Sequence, residues 1–166
     1  MSDRMCVKEM KQKRIEDGKK HIYFYLKDDD YGWMSNFYPS VLNIDGMTYP
    51  TVEHYYQSMK TFDGAIHVWI SNAPKPFLAM TIGRKLRGKD GFDKDEWEKI
   101  KVNVMLNGLR HKFHQLDMKE LLLKTGNAVL HEDSPSDKFW GVKGKDQLGK
   151  CLMQIREEIL DEIRED

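Results

Sequence analysis

Three polar side chains of different chemistry, Glu53, Gln57 and Lys60, follow one another at intervals of four and three residues. This spacing places side chains on one face of a helix. A carboxyl group there can transfer protons, and an amine that has lost its proton can attack carbon. A polar stripe of this kind is more often a solvated helix face. Its interpretation therefore depends on the rest of the chain.

The segment from Tyr49 to Gly64 contains these residues and is predicted to be the central helix. Pro50 ends the preceding extended segment, and the Thr51 side chain can cap the first turn. Gly64 is the predicted stop. Helical spacing then gathers an apolar stripe that should face the core, with the polar stripe on its flank: Val52, Tyr55, Tyr56, Met59 and Phe62.

Two other stretches have a composition suited to a ligand. Residues 31–39 mix aromatic rings with Ser35 and Asn36, which suits stacking and hydrogen bonding to a planar molecule, although such rings more often cover a core. Residues 83–89 carry four positive charges in seven residues, which suits a diphosphate but also a solvated turn. Residues 31–39 and 83–89 are therefore candidate ligand-binding segments.

Composition excludes several classes of function. The chain has 166 residues, enough for one core, and 27 basic residues balance 27 acidic ones. Zero net charge argues against holding nucleic acid by broad charge neutralisation, but not against binding one nucleotide in a pocket. His111 and His114 have no third ligand near them, so no metal is expected. Cys6 and Cys151 are expected to be free thiols, and without a signal or transmembrane pattern we expect a cytoplasmic or nuclear protein.

The remaining elements predict an α+β fold, mostly helical, with a small antiparallel sheet. A β-rich run begins at His21, and Asp45-Gly46 predicts a hairpin. Further helices are predicted to start at Pro76, at Asp95 with Glu98 as a capping box, and near Lys119, and a last helix follows Asp146. Residues 1–20 form a charged arm, and residues 21–166 form the single domain.

Five motifs occur in an order that resembles the NADAR family, the YbiA-like group. They are Tyr31-Gly-Trp-Met-Ser-Asn-Phe-Tyr-Pro39, Asp45 to Gln57 with Lys60, Gly83-Arg84, Ser134 to Gly141, and Leu148 to Met153. The resemblance covers residues 21–160 and implies hydrolysis of an N-glycosidic bond without metal or cofactor. It implies two substrate groups: ADP-ribose attached to guanine in nucleic acid, and the phosphorylated ribosylamino-pyrimidine intermediates of riboflavin synthesis.

The resemblance also implies roles for individual residues. Lys60 would be a Schiff-base nucleophile and Glu53 its acid–base partner, while Asp137 would orient a ribose hydroxyl or water. Lys60 must be desolvated to lose its proton, yet an ionised Glu53 beside it would oppose that loss. Arg84 would clamp phosphate. The other residues implied in substrate binding are Tyr31, Gly32, Ser35, Asn36, Gln57, Trp97, Trp140 and Gly141. Asp146 replaces an asparagine common in relatives, and is expected to cap the last helix and to disfavour phosphate there.

We therefore expect an N-glycosidase that removes ADP-ribose from guanine. The alternatives are the riboflavin intermediates as substrate, or a non-catalytic ADP-ribose-binding module, which would not need both Glu53 and Lys60. The expected partner is ADP-ribosylated nucleic acid or a nucleotide-like small molecule, with no membrane and no obligate protein partner.

Overall fold

The structure is a computed structural model that describes residues 18–166. The predicted arm of residues 1–20 therefore lies outside the described residues except for its last three positions, and so does Cys6. None of the helices in the described part of the chain is long and apolar enough to cross a membrane.

Within residues 18–166 the regular elements are six α-helices and four short strands. In chain order they are β1 His21–Phe24, β2 Leu42–Ile44, β3 Met47–Tyr49, α1 Val52–Ser58, α2 Gly64–Ser71, α3 Pro76–Lys85, α4 Lys94–Phe113, α5 Leu116–Lys124, β4 Val129–Glu132 and α6 Gln147–Glu165. Short 3₁₀ turns occupy Gly32–Met34 and Gly88–Asp90. The predicted α+β class, mostly helical, is confirmed.

The strands form two separate two-stranded sheets. β2 and β3 make the predicted antiparallel hairpin, and Asp45 and Gly46 at its turn have positive φ angles of 50° and 78°. Both values suit the tight turn that this dipeptide favours. β1 instead pairs in parallel with β4, with His21 opposite Val129 and Phe24 opposite Glu132. The predicted antiparallel sheet is thus one of two two-stranded sheets. The parallel sheet was not predicted, because pairing between strands so far apart in the chain leaves no local sequence signal.

Helix α1 lies at the centre of the fold, and all seven of its residues are buried. It packs against α2, α3 and α4. The main apolar core joins α1 to β1, β4, α4 and α6. The apolar stripe of α1 faces the core as predicted at Val52, Tyr55 and Tyr56, but the alternative of a solvated polar face is wrong, because α3 covers that side as well. Glu53 and Gln57 are consequently interior residues.

The central helix ends earlier than predicted. It stops at Ser58, and Gly64 begins α2 instead of ending α1. Asp63 supplies the cap, since its carboxylate accepts hydrogen bonds from the backbone N–H groups of Ala65 and Ile66. Phe62, predicted to face the core, lies in the connecting turn with 74% of its surface exposed.

The start of α4 also differs by two residues from the prediction. Asp93 is the N-cap and accepts from the N–H groups of Asp95 and Glu96, so Asp95 lies inside the helix. The predicted start of α3 at Pro76 is confirmed, and this helix continues to Lys85.

Candidate functional site

Glu53 is held at the start of α1 by two hydrogen bonds of its own and by the cap of its helical turn. Its backbone N–H donates to the Asn36 carbonyl at 3.1 Å. The Thr51 hydroxyl caps the same turn by accepting from the His54 N–H. The Glu53 side chain is only 8% exposed, and its Oε1 accepts a 2.8 Å hydrogen bond from Nε2 of Gln57. The carboxyl group is therefore fixed in position inside the protein.

Burial raises the pKa of Glu53, and the negative charge of Asp137 adds to this effect. The Gln57 hydrogen bond and the positive charges of Lys60 and Arg84 act in the opposite direction but do not cancel it. Because burial penalises the ionised form, Glu53 retains its proton to higher pH than an exposed glutamate.

Lys60 lies two residues beyond the end of α1, in a turn where its N–H donates to the Gln57 carbonyl. Its Nζ is 5.6 Å from the centre of the Tyr56 ring and 5.7 Å from that of Trp97. Burial lowers the pKa of Lys60, and the positive charges of Arg84 and Lys101 lower it further. Glu53 and Glu98 oppose this shift without reversing its direction.

The pKa shifts of Glu53 and Lys60 resolve the conflict that an ionised Glu53 would keep Lys60 protonated. Burial disfavours both the ionised carboxyl and the ionised amine, so it moves the pKa of Glu53 upward and that of Lys60 downward. The neutral acid and neutral amine thus become more accessible near neutral pH. This is the protonation state that a nucleophilic lysine and a general acid require.

Tyr56 organises the aromatic wall behind Lys60. Its ring makes edge-to-face contacts with Trp97 at 4.9 Å and Trp140 at 5.7 Å between ring centres, and its hydroxyl accepts from Nε1 of Trp140. Both tryptophans are buried. In this structure they support Tyr56 and the Lys60 turn, and their predicted contact with substrate stays a prediction.

Asp137 orders the turn that contains Trp140. Its Oδ1 accepts from the N–H groups of Phe139 and Trp140 at 2.9 and 2.8 Å. Gly141 is required for close packing, since a Cβ there would lie 2.5 Å from the Asp137 carbonyl oxygen. The charge of Asp137 reaches both Glu53 and Tyr56. Its position beside Glu53 is consistent with the predicted role, while the hydrogen bonds show a structural role as well.

The loop of residues 31–39 reaches the site through its backbone. Gly32 is a packing requirement, because a Cβ would lie 2.2 Å from the Lys27 carbonyl oxygen, and Tyr31 packs against the core. The Ser35 carbonyl accepts from Nζ of Lys112 at 2.9 Å. The backbone carbonyl of Asn36 accepts a hydrogen bond from the Glu53 N–H. The side-chain Oδ1 of Asn36 is buried and has no hydrogen-bond partner among the described residues. Asn36 is thus the residue of this loop best placed to meet a ligand beside Glu53.

Arg84 lies in the last turn of α3, exposed to solvent, and its charge acts on both Glu53 and Lys60. The preceding residue, Gly83, faces α1. A Cβ at Gly83 would lie 1.9 Å from Oε1 of Gln57. Glycine here therefore lets α3 approach the side chain that holds Glu53.

Gly83→Ala is expected to displace the Gln57 amide and break its bond to Glu53. We expect kcat/KM to fall about tenfold, equivalent to roughly 1.4 kcal/mol, as for loss of one hydrogen bond to an ionisable group. Gly88→Ala is the matched control, since a Cβ there meets nothing within 4 Å. Wild-type kcat/KM in Gly83→Ala would show that the Gln57–Glu53 bond is dispensable.

The sequence did not reveal several charged neighbours of the site. Burial, together with the negative charges of Asp137, Glu53 and Asp146, raises the pKa of Glu132 to about 7. Lys101, one helical turn after Trp97, contacts Glu98 at 2.6 Å and lies 3.7 Å above the centre of the Phe139 ring. The four-residue spacing of Trp97 and Lys101 could have predicted that both lie on the same face of α4. No sequence pattern could have predicted that β4 brings Glu132 to the site.

The prediction that Asp146 caps α6 is wrong. Asp146 adopts a left-handed conformation with φ 53°, and its side chain accepts no hydrogen bond from the helix. Its carboxylate instead pairs with Nδ1 of His131 on β4. His111 and His114 bond to the backbone carbonyls one turn earlier in α4. In residues 18–166 no group of three or more His, Cys, Asp or Glu side chains is placed to hold a metal ion.

Together these features define a small α+β domain with a buried acid and a partly buried amine, backed by aromatic rings and flanked by an arginine. The NADAR domain profile matches residues 23–160, and the chain belongs to the NADAR family. N-glycosidase YbiA of Escherichia coli (strain K12) is 40% identical over 143 residues, covering 83% of this chain and 88% of that protein.

A solved structure and a longer relative extend the comparison. The NMR structure of the E. coli protein YbiA superposes with a TM-score of 0.80 at 38% identity, covering 89% of each chain. Riboflavin biosynthesis protein VVA0006 of Vibrio vulnificus (strain YJ016) is 35% identical over 143 residues, which are 83% of this chain but 38% of that protein.

Proposed function

We propose that this N-glycosidase removes ADP-ribose from guanine bases in nucleic acid, by breaking the bond between ribose C1 and the exocyclic amine. The observation that carries the proposal is a buried Glu53 beside a partly buried Lys60, whose pKa values burial moves toward each other. A binding module needs neither group in its neutral form, whereas amine catalysis needs both.

The chemistry begins with the substrate. A ribose joined through C1 to an exocyclic amine can open its ring to an imine. Neutral Lys60 then attacks C1, and the resulting tetrahedral adduct contains both nitrogens. Proton transfer from Glu53 to the base nitrogen releases the base amine, and the electron pair of Lys60 forms a new imine to the sugar. Water, deprotonated by Glu53, adds to C1 of this protonated imine and gives a carbinolamine. Glu53 then returns the proton to Nζ, the C1–Nζ bond breaks, and the hydroxyl proton passes back to Glu53, which leaves the sugar as a free aldehyde and Lys60 as a neutral amine.

The residues around Lys60 support this order of reaction steps. The rings of Tyr56 and Trp97 limit water around the amine, and Arg84 and Lys101 disfavour a second proton on it. Gln57, one turn after Glu53 on α1, holds the carboxyl group by a hydrogen bond, and this carboxyl group forms no hydrogen-bonded ion pair with Lys60 in the turn beyond the helix. The charge of each group acts on the pKa of the other, while the two remain separately available.

The phosphorylated ribosylamino-pyrimidine intermediates of riboflavin synthesis are the second candidate. The observation in their favour is the similarity to a relative named as a riboflavin biosynthesis protein. They also join ribose C1 to an exocyclic amine, so the same residues would act on them. Both candidates carry phosphate, for which Arg84 is the proposed ligand.

Incubation with each substrate separates the candidates. Purified protein is given an oligonucleotide with ADP-ribosylated guanine and, separately, the ribosylamino-pyrimidine phosphate, and release of the base is followed by chromatography. We expect unmodified guanine to reappear in the oligonucleotide with the higher kcat/KM. A higher kcat/KM for the pyrimidine would favour the second candidate, and no product from either would favour a binding module.

Arg84→Ala is expected to raise KM roughly 10- to 100-fold while changing kcat little. A charged hydrogen bond to phosphate is worth about 1.5–3 kcal/mol, and the phosphate does not change during the reaction. Because Arg84 lowers the pKa of both Glu53 and Lys60, kcat should be compared at each variant's optimum pH. Lys89→Ala, in the same basic segment, is the control. Normal KM with a collapsed kcat would assign Arg84 a different role.

A further inference from the structure

A second concave site lies between α2 and α3, with neither Glu53 nor Lys60 in its walls. It is a cavity of about 220 Å³, bounded by apolar side chains and by a polar rim. Ile66, Ile82 and Leu86 are among the apolar walls, and Thr81, Lys85 and Asp90 form the rim. Its volume is below that of sites for drug-sized ligands, which suits a single planar ring system.

Trp69 forms one side of this cavity and is 61% exposed. A large aromatic ring at the edge of an apolar cavity is a surface on which a base can stack. Beneath it, Ile70 and Leu86 are buried in a small apolar cluster separate from the main core. The floor of the cavity is therefore formed by packed side chains.

The cavity is connected to the acid–amine pair on two sides. Lys85 on its rim directly follows Arg84, whose charge acts on Glu53 and Lys60. Asp90, also on its rim, has its carbonyl bound by the hydroxyl of Thr61, the residue after Lys60. Arg84 and Lys60 are thus each adjacent in the chain to a residue that lines the cavity or is hydrogen-bonded to one that does.

We propose that this cavity is a nucleobase subsite that holds the adenine of the ADP-ribosyl group. The adenine ring stacks on Trp69, and its exocyclic amine donates to the Asp90 carboxylate. That carboxylate is already oriented, since its Oδ2 accepts from the backbone N–H of Arg87 at 3.0 Å. Lys85 adds positive charge where the adenosine phosphate enters. This inference rests on the proposed function for its place in catalysis.

The subsite would also distinguish the two candidate substrates. An ADP-ribosyl group carries adenine beyond its diphosphate, whereas a ribosylamino-pyrimidine phosphate has no second base. Occupation of the cavity would therefore stabilise only the ADP-ribosylated substrate. Its effect should appear in KM, because adenine is remote from the reacting carbon.

The first test is kinetic and uses ADP-ribosyl-guanosine, which has no neighbouring nucleotides. Trp69→Ala is expected to raise KM about tenfold with kcat unchanged, the effect of losing one stacked base, and Trp69→Phe to restore most of the affinity. Phe77→Ala, an aromatic residue of α3 with similar exposure of 59% but outside the cavity walls, is the control. Unchanged KM in Trp69→Ala would overturn the proposal. So would a loss seen only with an oligonucleotide, which would assign the cavity to a neighbouring base.

The second test needs no turnover. AMP is titrated into ¹⁵N-labelled protein, and the indole N–H signal of Trp69 is expected to shift in the wild type, with binding weakened about tenfold in Trp69→Ala. Shifts confined to other parts of the chain, or equal affinity in the variant, would contradict the subsite. If the wild type fails to cleave any ADP-ribosylated guanine, the proposed function fails, and the AMP titration still decides whether the cavity binds a base.

Discussion

Lys60→Arg is expected to stop turnover while leaving substrate binding largely in place. Arginine keeps the positive charge but is effectively always protonated, so it has no electron pair to offer ribose C1. Burial moves the pKa of Lys60 in the direction that creates such a pair, and a guanidinium cannot follow. We expect kcat to fall on the order of 10⁴- to 10⁶-fold, as when other hydrolases lose their nucleophile.

The measurement is single-turnover kinetics, with substrate affinity determined separately by calorimetry. Lys101→Arg is the matched control, because it places the same larger cation beside the site without removing the nucleophile. Appreciable activity in Lys60→Arg would favour direct attack of water on an oxocarbenium-like sugar, with Lys60 only an electrostatic aid.

Glu53→Gln is expected to slow the reaction by about 10²- to 10⁴-fold through lost proton transfer. The buried amide is close in shape to the carboxyl group, so the loss should not come from unfolding. The raised pKa of Glu53 means that the folded state holds its proton more tightly than the unfolded state. Stability therefore declines as pH rises above the unfolded pKa, and Gln, which cannot ionise, should be at least as stable at neutral pH.

The same variant makes a signed prediction for pH dependence. An ionised Glu53 raises the pKa of Lys60, so its removal lets that pKa fall further. The residual rate that requires neutral Lys60 should then begin to rise at lower pH than in the wild type. Glu98→Gln, which removes a smaller opposing charge, is expected to give the same direction with little loss of kcat. An unshifted profile in Glu53→Gln would mean that the two groups are not coupled.

The sequence correctly predicted those structural features that depend on a few neighbouring residues. Asp45-Gly46 sets the hairpin and Pro76 the start of α3, because turn and cap preferences act within a few residues. Spacing also predicted that Glu53 and Gln57 share one side of α1, whereas Lys60 lies in the turn that follows the helix. It did not show that this side is buried, since that depends on α3 approaching through Gly83.

The rest of the site depends on contacts between distant parts of the chain. Glu132 reaches the site because β4 pairs in parallel with β1, and Asp146 turns away from α6 because His131 of β4 is within reach. Neither contact produces a periodic pattern or a residue spacing that could be recognised in the sequence. Gly64 was a plausible helix end, but Asp63 immediately before it is the stronger signal for a helix start.

Chemical trapping at Lys60 distinguishes a covalent imine between enzyme and sugar from direct attack by water. Sodium borohydride is added while the enzyme turns over ADP-ribosylated guanine, and the protein is digested and examined by mass spectrometry. We predict a stable secondary amine that joins the ribose-containing fragment to the peptide with Lys60, absent from Lys60→Arg and from samples without substrate. Continued turnover with no adduct on that peptide, together with appreciable activity in Lys60→Arg, would contradict the Schiff-base account.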